Sequence, residues 1–169
     1  TKSNCSSNLA QPFDFNNIQA RCPVMINGAD FYAELVESGY NWGESFSWIK
    51  TIWKSDTEAV FTMRLPELPD NLDDYPVYPG LLDAGFQVLG SFGKDNYDSN
   101  SSAFMPFSIS NLEFNRKINA AEAWGYVSLI DAPSPNRETF KGDICWFDKN
   151  GIAIKVSGFE FRRIKTDSD

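Results

Sequence analysis

The stretch Tyr78-Pro79-Gly80-Leu81-Leu82-Asp83-Ala84-Gly85-Phe86-Gln87-Val88-Leu89-Gly90-Ser91-Phe92 decides how this 169-residue chain is organised. Leu81, Leu82, Phe86, Val88, Leu89 and Phe92 lie largely on one stripe at helical spacing, and Pro79 is pre-set for a first turn. The segment therefore predicts an apolar helix that plugs the interior. Asp83 is the lone carboxylate of that helix and is expected in its first turn. Burial pushes such a group towards its neutral form, while the partial positive charge of a helix start pulls it towards the charged one. The sequence leaves open which wins. Gln87, four residues on, shares the helix face and can hydrogen-bond whatever Asp83 holds. A solvent-facing carboxylate at a helix start is the plainer alternative, since acidic residues are common there.

Working outward, the pattern on both sides of this helix is of strands. Upstream, Asp30 reads as an N-cap, Phe31, Tyr32, Leu35 and Val36 as a short helix, and Gly39 as its stop. Phe46 to Trp53 and Ala59 to Leu65, with a turn at Asp56, pattern as a hairpin. A rigid acidic crossing with four prolines (Pro66, Pro69, Pro76, Pro79) leads into the apolar helix. Downstream, a polar loop over Gly93 to Ser102 precedes four strand signals: Ala103 to Phe114, Ala121 to Ile130, Thr139 to Phe147 and Ile152 to Arg162. Asn150-Gly151 suits a tight turn with positive φ between the last two. Residues 13–26 show no period, and 1–11 read as a frayed linker. Six strands, one apolar helix and a smaller one describe an α+β domain with an antiparallel sheet wrapped on a helix.

Composition narrows the chemistry. There is no histidine, so the commonest general base at neutral pH and the commonest metal ligand are both missing. Any mechanism must run on carboxylates, Tyr, Lys or Cys, or be completed by another polypeptide. The net charge of −8 argues against nucleic acid and anionic membranes as partners. Cys5, Cys22 and Cys145 are an odd number without CxxC pairing, which fits a reducing, cytoplasmic setting better than a disulfide framework. Cys145, between Ile144 and Trp146, reads as a packed, unreactive thiol. No apolar run is long enough for a transmembrane helix. Asp70, Asp73 and Asp74 match no metal-loop spacing, and no cofactor or metal is expected. Tyr40 and Trp42 read either as pocket lining or as core. Arg162, Arg163 and Lys165 form one compact basic patch, most simply a solvated strand end. Thr1 is not a start methionine, so a processed product or a piece of something larger is expected.

Three motifs carry a resemblance. Phe31-Tyr32 through Gly39-Tyr40-Asn41-Trp42-Gly43-Glu44-Ser45-Phe46 is similar to a helix followed by Gly-Tyr-x-Tyr-Gly-Pro-x-Phe. Tyr78 to Gln87 is similar to His-Pro-x-Leu-Leu-Asp-x-x-x-Gln, and Met105-Pro106-Phe107-Ser108 to Leu-Pro-Phe-Ser. Together they resemble the C-terminal hotdog half of a polyketide synthase dehydratase from about Ile18 to Arg163. The resemblance implies half of a double hotdog, with residues 1–27 a linker-like segment, 28–165 the hotdog domain and 166–169 a tail. It implies loss of water from a β-hydroxyacyl thioester carried on the phosphopantetheine of an acyl carrier protein. A His of the N-terminal hotdog would remove the α-proton, and Asp83, assisted by Gln87, would protonate the departing hydroxyl. Tyr40, Tyr78, Pro79 and Leu82 would lie on the substrate side.

The chain departs from the family pattern where Tyr78 stands for His, Trp42 for Tyr and Glu44 for Pro. The His-x-x-x-Gly-x-x-x-x-Pro motif of the N-terminal hotdog is nowhere in it. The chain is therefore expected to be inactive alone, and to self-associate as a dimer through the face its missing half would cover. Other possibilities are a non-catalytic scaffold or docking domain, an isomerase or cyclase on the same fold, and, from a different class, a lipid- or pigment-binding β-barrel.

Overall fold

The computed structural model describes residues 13–66, 74–94 and 102–165. Its elements run α1 (Phe15–Arg21), β1 (Val24–Asn27), α2 (Gly28–Glu37), β2 (Ile49–Lys54), β3 (Glu58–Met63), α3 (Pro79–Lys94), β4 (Ser102–Phe114), β5 (Trp124–Asp131), β6 (Thr139–Asp148) and β7 (Gly151–Lys165), with short 3-10 turns at Glu44–Phe46 and Ala120–Glu122. Seven strands form one sheet in the order β1-β2-β3-β5-β6-β7-β4. All of its pairings are antiparallel. The expected α+β class, an antiparallel sheet around a central helix, is what the chain adopts.

The core lies between α3 and one face of the sheet. Leu81, Ala84, Val88 and Leu89 of α3 are fully buried among Ile49, Ile52, Phe61, Val127, Phe140, Ile144, Trp146 and Ile154. Two glycines let the helix come this close. A Cβ on Gly85 would run into the Trp146 ring, and one on Gly80 into the Trp48 ring and the Ser45 carbonyl. Both indoles are also tied by hydrogen bonds. Trp146 Nε1 donates to the Leu81 carbonyl at 2.8 Å and Trp48 Nε1 to the Ser45 carbonyl at 2.8 Å. Each buried indole N–H thus has a partner while its ring fills the space beside a glycine.

Strand alternation sends the intervening residues to the opposite face. There Val60, Tyr126, Cys145, Phe147 and Ile152 are covered by Ile18 and Cys22 of the α1 region and by Phe13 and Phe15. An ion pair fastens this cover: Arg21 Nε donates to Glu58 Oε1 at 2.7 Å, and Tyr126 Oη donates to Glu58 Oε2 at 2.7 Å. The guanidinium holds the Glu58 carboxyl below its ordinary range. At the far end of the sheet, Arg116 clamps Asp148 with two bonds of 2.7 and 2.6 Å.

Several sequence expectations need correction. Residues 13–26 are a helix and an edge strand rather than irregular cover, making seven strands instead of six. In α1 only Ile18 is buried and β1 is largely exposed, so neither writes a period into the sequence. The N-cap of α2 is Asn27, whose side chain accepts from the Ala29 N–H at 2.8 Å, and Asp30 falls in the first turn. Gly39 does end α2, at φ 87°. In the β6–β7 turn only Gly151 has positive φ, at 98°; Asn150 does not. Cys145 is disulfide-bonded, not a free thiol. An odd count leaves one cysteine over without excluding a pair, so the cysteine argument for a reducing compartment falls away. Arg162 and Arg163 are not a bare basic patch: Arg162 donates to Glu160 and lies over Phe107, while Arg163 donates to the carbonyls of Arg137 and Ser134. The expected linker over 1–11, the loop over 95–101, the tail at 166–169 and the acidic residues 67, 70 and 73 lie outside the described residues. No described helix is long and apolar enough to cross a membrane.

The helix-to-sheet approach gives a first prediction. Gly85→Ala should destabilise the chain by about 1–3 kcal/mol because the Trp146 ring has nowhere to move. Gly43→Ala, whose added methyl would meet nothing within 4 Å, should leave the unfolding temperature unchanged in the same thermal scans.

Candidate active site

The site is built where α2, the 40–46 loop and α3 meet. Because α3 begins at Pro79, Asp83 sits in its second turn rather than the expected first. The helix-dipole contribution falls off beyond the first turn. Asp83 is half-buried, and burial pushes its carboxyl above the ordinary 3.8, with the Gln87 hydrogen bond pulling the other way. Of the two influences, burial is the larger.

Gln87 is the centre of the arrangement. Its Nε2 donates to Asp83 Oδ2 at 2.6 Å and to the Phe46 carbonyl at 3.1 Å. Its Oε1 accepts from Tyr32 Oη at 2.9 Å. The Tyr32 oxygen in turn accepts from the Ile49 N–H at 3.2 Å. Burial raises the Tyr32 phenol to about 12, so it keeps its proton and serves as a hydrogen-bond donor. The Gln87 bond to Asp83 falls on Oδ2, which leaves Oδ1 as the oxygen to carry a proton. A half-buried carboxyl of raised pKa, with one oxygen anchored and the other available, suits proton donation.

The i, i+4 pairing of Asp83 and Gln87 expected from the sequence is present. Tyr78 lies at the entry to α3, half-buried against Trp48 at 5.0 Å and Tyr75 at 5.3 Å between ring centroids, and its carbonyl accepts from Leu81 and Leu82. Leu82 packs against the core, and Pro79 is exposed. Tyr40 does not join this cluster. It is exposed and stacked on Trp42 at 6.5 Å, and Trp42 leads to Phe46 at 6.4 Å. A cavity of about 440 Å³ opens beside Tyr75, Tyr78, Leu81 and Ile118, but neither Asp83 nor Gln87 lines it. No group of three or more potential metal ligands occurs among the described residues. Sequence reasoning missed Tyr32 and the Phe46 carbonyl. A Tyr where the apolar stripe of α2 asked only for bulk was the available signal, because a buried hydroxyl needs a partner.

An antiparallel sheet wrapped on a central helix that bears a half-buried acid defines a hotdog domain of the dehydratase kind. The polyketide synthase dehydratase family model, described as its N-terminal domain, matches residues 10–169, and the chain belongs to that family. Among curated relatives, the highly reducing polyketide synthase cla2 of Cladosporium cladosporioides is 27% identical over 157 residues, covering 88% of this chain and 7% of the relative. Among solved structures, the dehydratase domain from the CurJ module of curacin polyketide synthase is 31% identical with a TM-score of 0.80, covering 92% of this chain and 55% of that one. That domain has also been solved as an inactive histidine-to-phenylalanine mutant. An inactive aspartate-to-asparagine mutant of the CurK dehydratase is 26% identical with a TM-score of 0.71, covering 96% and 56%. The chain therefore spans a small part of its curated relatives and just over half of each solved dehydratase.

The raised Asp83 carboxyl predicts a pH-dependent stability difference. Below its ordinary value of 3.8 the group is neutral in both folded and unfolded chains and its burial is not penalised. As pH rises through the higher folded value the carboxylate forms in a half-buried place and stability is lost. Asp83→Asn cannot ionise and keeps a partner for Gln87. Its unfolding temperature should exceed that of the parent at pH 7, with the gain vanishing below pH 3.8 in parallel thermal scans.

Proposed function

We propose that this chain is the Asp-bearing C-terminal half of a polyketide synthase dehydratase, in which Asp83 protonates the hydroxyl that leaves a β-hydroxyacyl thioester as water. The observation that carries this is the Asp83 carboxyl, half-buried, raised in pKa and anchored through Oδ2 by Gln87. In the reaction a base takes the proton from the α-carbon, the electron pair forms the α,β double bond, and the C–O bond breaks as Asp83 gives its proton to the leaving oxygen. Asp83 must therefore be neutral at the start, which the raised pKa favours. The base is assigned to a histidine of the other hotdog, since this chain has none. That both an aspartate and a histidine replacement inactivate dehydratases of this fold agrees with such a division.

The matching family model carries the description of an N-terminal domain. We assign the chain to the C-terminal half because it holds the Pro79-Gly80-Leu81-Leu82-Asp83 motif and lacks the histidine motif. In this assignment residues 28–165 carry the body of the hotdog, to which α1 and β1 of the 1–27 segment add a cover and one edge strand. The thioester is carried by an acyl carrier protein and approaches past Tyr78, Pro79 and Leu82, with Tyr40 further out along the 40–46 loop. The uncovered edge strand supports a missing half. Met105, Phe107, Ile109, Leu112 and Phe114 of β4 are 40–55% exposed, more apolar surface than a free sheet edge normally shows.

Two outcomes follow. In a dehydratase that joins this chain to its His-bearing half, Asp83→Asn should cut dehydration of a β-hydroxyacyl thioester by about 10²–10⁴-fold. Unchanged turnover would leave the chain a dehydratase-like scaffold. The isolated chain should self-associate in light scattering at high concentration, and a strict monomer would contradict an apolar face awaiting cover.

A further inference from the structure

The Tyr32 phenol serves no purpose in packing that phenylalanine would not, for its ring already sits edge-on to Phe31 at 5.4 Å. Its oxygen, by contrast, is fully engaged in joining α2 to α3 and to the start of β2. We propose that Tyr32 is a positioning residue that holds the Gln87 amide in the one orientation presenting N–H, rather than carbonyl oxygen, to Asp83. This inference rests on Asp83 being the acid of the reaction and adds the device that controls it.

An amide side chain can face Asp83 with either end, and the two ends have opposite effects. An N–H stabilises the carboxylate, while a carbonyl oxygen stabilises only the protonated acid. Three contacts choose between them. The Phe46 carbonyl, 3.1 Å from the Gln87 nitrogen, can only accept and so demands an N–H. Asp83 Oδ2 takes the second N–H at 2.6 Å. The amide oxygen is then turned to Tyr32, and it is paired only if Tyr32 supplies a proton. Tyr32 has one proton to give. Its own oxygen is already accepting from Ile49, and the contact to Gln87 at 2.9 Å is shorter than that to the Phe46 carbonyl at 3.3 Å, so the proton goes to Gln87. Burial favours the protonated phenol, so the hydroxyl keeps its proton for the Gln87 oxygen.

Removing the hydroxyl takes away what holds the amide oxygen in place. In Tyr32→Phe the Gln87 oxygen is left without its donor, so the amide is held on one side only, by the Phe46 carbonyl, and its N–H bond to the Asp83 carboxylate loosens. Asp83 then holds its proton to higher pH. Besides Asp83, the charged group acting on Tyr32 is Arg64, which favours the phenolate slightly and does not contribute to the Asp83 shift. The arrangement thus sets how readily the acid releases its proton to the substrate and recovers one afterwards.

The test is a carboxyl-carbon NMR titration of Asp83 in the 169-residue chain, assigned with Asp83→Asn, for the parent, Tyr32→Phe, Gln87→Ala and the double variant. The expected result is an upward shift of the Asp83 midpoint in Tyr32→Phe that disappears when Gln87 is already alanine, since the effect passes through the amide. An unchanged midpoint in Tyr32→Phe would overturn the proposal. So would an equal shift in the Gln87→Ala background, which would mean that the hydroxyl acts on Asp83 without the amide. In the two-half dehydratase the basic limb of the pH–rate profile should move up in Tyr32→Phe, because activity is lost as Asp83 ionises. If instead Asp83→Asn dehydrates at the parental rate while the titration coupling holds, the acid role fails and the positioning of the amide stands.

Discussion

The close approach of α3 to the sheet fixes everything else in this molecule. Gly85 lets the helix lie against Trp146, and the Trp146 N–H locks that depth by donating to the Leu81 carbonyl at 2.8 Å. Gly80 does the same one turn earlier against Trp48, whose N–H is held by Ser45 of the 40–46 loop. The helix is thereby positioned against both the sheet and the loop that supplies the Phe46 carbonyl. With its buried stripe committed to the core, Asp83 and Gln87 are left half-buried at the edge of the interface. The raised pKa of Asp83 is a consequence of helix depth, not of any charge placed beside it.

How much of this was legible depended on whether the information was local. The stripe from Leu81 to Phe92 and the alternation in Ile152, Ile154 and Val156 are written in neighbouring residues, and they gave α3 and β7 nearly at their true bounds. The Asp83–Gln87 bond follows from i, i+4 spacing alone. Elements that bury little leave no such trace: α1 hides only Ile18, and β1 is an exposed edge, so both escaped notice. Asp83 lies one turn deeper than expected because, with Pro79 as the first helical residue, the fifth position already belongs to the second turn.

The part of the site that could not be read is the part assembled across the fold. Tyr32 reaches Gln87 over 55 residues of sequence: a hydroxyl in the apolar stripe of α2 signals that a partner is needed, but nothing local to α2 says which one. The Phe46 contribution is a backbone carbonyl, to which side-chain chemistry is indifferent. Family resemblance located the acid and implied the reaction, while the network around it came from geometry. The missing histidine belongs in the same picture. The chain spans just over half of the dehydratase domain from the CurJ module, and its sequence contains no histidine.

The most direct measurement is the midpoint of the Asp83 carboxyl in the parent chain, read by carboxyl-carbon NMR and assigned by its loss in Asp83→Asn. A midpoint above the ordinary carboxylate value of 3.8 is predicted, because burial outweighs the Gln87 hydrogen bond. A midpoint at or below that value would mean that Asp83 is held as a carboxylate, and the account of it as a proton donor would be contradicted.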